Sequence, residues 1–140
     1  MAWCCAMGEV ADIRGIIRNR DRKQQIIDFS GLRYGLITPT DIDGVIEYKN
    51  SCFLFMEFKC SFGAKIPAGQ RIALERLCDG LDRPAILIHA VHDAQIGQDI
   101  NARNSFVYRY YWKGKWKAPD DVMSVGEAAD RFFDKHAPGG

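Results

Sequence analysis

The sequence predicts an α/β (α+β) fold in which helices flank a β-sheet, and three stretches carry that prediction. Residues 38–59 place β-branched and aromatic residues on both sides of the turn formers Lys49-Asn50-Ser51, the pattern of a hairpin. The segment after Pro67 repeats its apolar residues at helical spacing. Pro84 to Val91 is a near-continuous apolar run, as in a strand covered on both faces.

From Glu9 to about Arg20, Val10, Ile13, Ile16 and Ile17 recur at helical spacing and predict an amphipathic helix. Its polar side carries Arg14, Arg18 and Arg20, followed by Arg22 and Lys23. Those cations are either a solvated face or a patch that contacts phosphates. Gln25 to Phe29 is a candidate strand ended by Ser30-Gly31, and Pro39 excludes helix from the segment Leu32 to Thr40.

In the hairpin, a three-residue turn sets Tyr48 opposite Cys52, and every earlier pairing follows. Ile46 then faces Leu54, Gly44 faces Met56 and Ile42 faces Phe58, which gives one apolar side. Alternation puts Asp41, Asp43, Val45 and Glu47 on the other side, across from Lys59, Glu57, Phe55 and Phe53. Asp43 is therefore expected opposite Glu57. Like charges in cross-strand contact destabilise a sheet by up to about 1 kcal/mol unless something positive lies between them, and a divalent cation would answer that need. Lys59 follows Glu57 on the same face at roughly 7 Å, within reach of whatever the cation holds. The plain alternative is a solvated charge cluster, with Lys59 paired to Asp41 or Glu57. Phe53, Phe55 and Val45 on that face argue for partial cover, where carboxylates need a partner.

Cys60 to Ile66 reads as a flexible connection, and Pro67 opens a helix, where its missing N–H costs nothing. Gln70, Leu74, Leu77 and Leu81 form one stripe of that helix, so Gln70 sits in its first turn facing the sheet. His89 and His92 end the following strand and are either hydrogen-bonded structure or titrating groups. Ala94 to Asn104 reads as loop. In Ser105 to Lys117, Tyr108, Tyr110 and Trp112 alternate with Arg109, Tyr111 and Lys113 before a turn near Gly114. Aromatic residues interleaved with Arg109, Lys113 and Lys115 suit bases and phosphates, and equally suit an edge hairpin kept from aggregating by its lysines. Ser124 and Glu127 form a capping box for a last helix reaching about His136.

At 140 residues the chain is read as one domain, 1–140, with flexible ends at 1–8 and 137–140. Hydrophobic content of 47% and charged content of 26% are those of a soluble globular protein. No stretch approaches the roughly 20 apolar residues that span a bilayer, and the first ten residues lack the basic start of a secretory signal. A cytoplasmic protein without a membrane partner is expected. The net charge of +1 does not advertise nucleic-acid binding, which would have to rest on local clusters. Cys4, Cys5, Cys52, Cys60 and Cys78 form no C-x-x-C, which leaves a zinc or iron-sulfur site poorly supported.

Asp43, Glu57-x-Lys59 and a helical Gln70 in this order resemble the PD-(D/E)XK nuclease superfamily, which includes restriction enzymes, Holliday-junction resolvases and phage recombination nucleases. The likeness covers Thr38 to Leu81 by motif and the flanks by element order. DIDG, EFK and GQRIALERL look most like small phage or bacterial members, so an origin in a phage or mobile element is implied. The resemblance implies a restriction endonuclease-like core, a central mixed sheet flanked by helices, and metal-dependent hydrolysis of phosphodiester bonds, with DNA as substrate. By position, Asp43 matches the motif aspartate, Glu57 the acidic residue and Lys59 the lysine, while Gln70 is similar to a helical glutamine of several branches. Asp41 and Glu9 would be accessory carboxylates, and the Phe58 backbone carbonyl a further metal ligand beside Asp43 and Glu57. Ile42 stands where the eponymous proline would be. Mg²⁺ is the implied cofactor, with Mn²⁺ able to substitute, because magnesium takes one or two carboxylates and keeps waters and substrate phosphate. Two other readings stand beside this one. The first is an inactive nucleic-acid-binding module on the same fold, and the second is a structural domain with a coincidental charge cluster. A homodimer is expected only from the general frequency of symmetric pairs.

Overall fold

The structure, a computed structural model, describes residues 28–61 and 64–138. The chain divides into two compact units, Met1–Asp41 and Ile42–Gly140. Within the first, Ser30–Leu32 forms a single 3-10 turn, the Ser30 N–H and hydroxyl both donate to Asp28, and Tyr34 bridges Ile37. Asp28 and Phe29 are not in a strand. The helix expected over 9–20, residues 25–27 of the candidate strand, the flexible end 1–8 and the final two glycines lie outside the described residues, as do Glu9, Arg18, Arg20, Arg22 and Lys23.

The second unit is of the α+β class. Its elements run β1 (Gly44–Tyr48), β2 (Cys52–Lys59), α1 (Ala68–Gly80), β3 (Ala85–Val91), β4 (Phe106–Trp112), β5 (Lys115–Lys117) and α2 (Val125–His136). The strands lie in the order β1-β2-β3-β4-β5. β2 and β3 are parallel and every other pair is antiparallel, so the sheet is mixed. A parallel pair needs a crossover of a dozen or more residues, and α1 supplies it.

The β1–β2 register follows from the turn. Lys49 and Asn50 both have positive φ, and the Ser51 N–H donates to the Tyr48 carbonyl at 2.8 Å. Such a turn carries the twist that joins two antiparallel strands, and Tyr48 pairs with Cys52, Ile46 with Leu54 and Gly44 with Met56. The pairing stops there. The chain bends at Asp43, and Ile42 packs with Phe55 and Leu87 instead of sharing a face with Phe58.

Both faces of the sheet are covered. Cys52, Leu54, Ile88, Ala90 and Val107 pack with Val125 and Phe132 of α2. Phe55, Ala85, Leu87 and Tyr111 pack with Leu74 and Cys78 of α1. The inward stripe of α1 thus runs through Cys78, and Leu77, expected to face the sheet, is turned toward solvent. Leu77 and Cys78 are one helical step apart, and the second continues the step of four from Leu74. Polar contacts also fix α1. The Tyr111 hydroxyl donates to Asp79, and the Trp116 Nε1–H donates to Glu75 at 2.6 Å.

Pro67 stands one position before α1, and its carbonyl accepts the Arg71 N–H at 2.9 Å. Ala94 to Asn104 contains no helix or strand. α2 begins where the capping pair predicts, with the Ser124 hydroxyl accepting the Glu127 N–H at 3.1 Å. Ser124→Ala orphans that donor, and urea denaturation is expected to show a loss of about 1 kcal/mol. No helix among the described residues is long and apolar enough to cross a membrane.

Candidate functional site

The candidate site lies at the carboxyl ends of the parallel strands β2 and β3, on the face covered by α1. Open α/β sheets present ligand-binding crevices at this end of their strands. Glu57 is buried, with 3% of its surface exposed, flanked by β3 on one side and bonded by Gln70 of α1. Asp43 reaches it from the bend before β1. One oxygen of Asp43 accepts the Phe58 N–H at 2.8 Å, so its side chain continues the β1–β2 pairing that its backbone has left.

The two carboxyl groups meet on one side of the sheet. Burial first, and then the charge of Asp43 and a hydrogen bond shared with it, push the Glu57 carboxyl up to about 7. Lys59 and a hydrogen bond from Gln70 pull the other way. The Lys59 ammonium is 3.6 Å from Glu57 Oε1, and Oε2 is buried with no hydrogen-bond partner among the described residues. A buried carboxylate oxygen left bare costs more than a pairing returns, so the arrangement suits either a retained proton or a cation.

Of the residues singled out in the sequence, the structure brings Asp43, Lys59 and Gln70 together around Glu57. Gln70 bonds to Glu57 itself. Phe58 contributes its N–H to Asp43, while its ring packs on the α2 face. Asp41 is the last residue of the first unit and is exposed, whereas this site is built within the second.

The basic aromatic hairpin divides. Arg109 pairs with His89 and so joins the row that starts at Glu57. Lys113 and Lys115 flank the turn at the far end of β4, beside the start of β3. A bulge between His89 and Ala90 breaks the expected alternation, since Ala90 pairs with Val107 and leaves Tyr108 as the extra residue. Tyr108 therefore sets its ring against His89, with centroids 5.1 Å apart, while Tyr110 and Trp112 pack toward α2.

His89 is the residue that sequence reasoning placed least well. It is buried, with 5% exposed, and it stands directly beside Glu57 in the parallel register. Burial and the nearby Lys59 hold its imidazole below the ordinary value, opposed by a hydrogen bond to the Ala64 backbone. Its Nε2 has no partner among the described residues. The sequence shows a histidine near a strand end, and the register that brings it to Glu57 depends on the length of the crossover.

The residues fit a divalent cation in one respect. A pair of carboxyls with a bare buried oxygen matches magnesium, which takes few protein ligands. Among the described residues no group of three or more His, Cys, Asp or Glu side chains is placed to hold a metal. Cys52, Cys60 and Cys78 are free thiols. No family model matches the chain, and comparisons with curated proteins and with solved structures return no match.

Proposed function

We propose that this chain is a magnesium-dependent nuclease that hydrolyses phosphodiester bonds, with DNA as its substrate. The observation that carries the reading is Glu57, a buried carboxyl with one bare oxygen, held against Asp43 and beside Lys59. The order of the motif residues and the β–β–α–β path through β1, β2, α1 and β3 also support it.

Hydrolysis of a phosphodiester needs an activated water, charge neutralisation at the phosphate and relief for the leaving oxygen. A bound magnesium supplies acidification of water and Lewis-acid polarisation of the phosphate. Asp43 and Glu57 would hold it, together with the Phe58 carbonyl, and manganese would serve in its place. Asp43 is kept in position by the Phe58 N–H, and Glu57 by Gln70. Lys59 extends from the same strand face as Glu57, where its ammonium can orient the attacking water and offset negative charge on the phosphate.

Cleavage of plasmid, linear, single-stranded and junction DNA with magnesium or manganese, beside an EDTA control, tests the activity. Binding competes with the proton on Glu57, so magnesium is expected to raise the melting temperature more at pH 8 than at pH 6. An equal rise at both pH values would remove Glu57 from the ligand set. The second reading is a nucleic-acid-binding module on the same fold without turnover. DNA retained by the protein but left uncut with either metal would decide for it.

A further inference from the structure

Beside the carboxyl pair, on the same face of the sheet, lies a cavity of about 230 Å³. His89 forms part of its wall next to Glu57, Lys65 and Arg71 come from the start of α1 and the segment before it, and Arg109 comes from β4. Tyr108 and Trp116 add aromatic walls. No Asp or Glu among the described residues lines the cavity itself, where three cations outnumber the one carboxylate, Glu75, that bonds Arg71 and Trp116 from behind the wall. Arg71 is paired with Glu75 at 2.9 Å and keeps further N–H groups of its fork for another acceptor. Arg109 and Lys65 make no ion pair among the described residues. Like charges gathered around a concave, partly enclosed space focus a field that an anion relieves. The volume is below the roughly 300–1,000 Å³ of sites for drug-sized ligands, a size for one compact group.

We propose that this cavity is a phosphate-binding pocket in which Arg109, Lys65 and Arg71 hold a phosphate group of a nucleic-acid strand. Glu57, His89 and Arg109 are successive partners across β2, β3 and β4, and neighbouring strands lie about 4.8 Å apart. Arg109 thus stands about two strand spacings from the carboxyl pair, near enough for one strand of substrate to reach both. The pocket binds its anion without metal, whereas its place beside a cleavage centre rests on the nuclease reading above.

The test is calorimetric titration of inorganic phosphate into the whole protein in EDTA, against chloride at matched ionic strength. Wild type is expected to bind saturably. The double variant Lys65→Ala/Arg109→Ala, which alters two exposed side chains, should bind at least about tenfold more weakly, the scale of losing a charge-assisted hydrogen bond. Glu57→Gln should bind no more weakly than wild type, since it takes a negative charge from beside the pocket and none of its donors. No saturable binding by wild type, or undiminished binding by the double variant, overturns the proposal. Competition of phosphate against oligonucleotides with 5′-phosphate and 5′-hydroxyl ends identifies the source. A preference for the phosphorylated end assigns the pocket to a terminal phosphate, and equal competition assigns it to an internal diester.

Discussion

Glu57→Gln is expected to abolish metal-dependent cleavage, by about a thousandfold or more, while leaving the fold intact. Glutamine matches the shape of glutamate and can still bond to Gln70, but it brings no negative charge to the cation. Circular dichroism should therefore match wild type while the cleavage assay does not. Lys59→Ala should fail in the same assay and still bind metal, because it removes the ammonium and keeps both carboxyls. Undiminished cleavage by both variants would refute these assignments.

Stability should move the opposite way from activity. The Glu57 carboxyl has its folded value raised to about 7 from an ordinary 4.5, so the native state binds the proton more tightly than the unfolded chain. Stability is then unaffected below about pH 4.5, falls as pH rises toward 7, and stays reduced above it. A tenfold difference in proton affinity between the folded and unfolded chain corresponds to about 1.4 kcal/mol. Without metal, Glu57→Gln should thus be more stable than wild type at pH 8, and the difference should vanish near pH 4.5. A variant less stable than wild type at pH 8 would show that burial of the charged form is not what raises the value.

Leu54→Ala is expected to cost about 2–5 kcal/mol, a large share of the roughly 5–15 kcal/mol that holds a typical domain together. Leu54 is fully buried in the first half of β2, packed toward α2, and its truncation leaves a cavity that a sheet cannot collapse. It points away from the face that carries Glu57, since successive side chains of a strand alternate. Urea denaturation should show the loss, and cleavage measured well below the lowered melting temperature should be retained. A cost below about 1 kcal/mol would mean that the α2 face repacks freely.

The hairpin was legible because its turn and its alternation point to one register, and the pairs from Tyr48 to Gly44 follow it. Legibility failed where a local irregularity shifts the phase. The bend at Asp43 carried Ile42 to the other face, and the bulge at Tyr108 placed two neighbours of β4 on the same side. Gly44 follows the bend directly but already pairs in regular register with Met56, and no glycine or proline stands at the bulge. The choice between Leu77 and Cys78 on α1 turned on one helical step between two apolar residues. His89 lay beyond sequence reasoning for a different reason. A parallel register is set by how the crossover returns, and nothing local to His89 records its neighbour.

That crossover also governs when the site exists during folding and synthesis. The hairpin bearing Asp43, Glu57 and Lys59 can close by itself in about 1–10 μs, but Glu57 is buried only once α1 has formed and β3 has docked. Pairing of distant strands must first overcome the entropy of closing a long loop. On the ribosome, a nascent chain that has emerged only as far as Lys59 would carry the motif as ordinary solvated acids. The carboxyl pair gains its buried setting only when β3 arrives beside it.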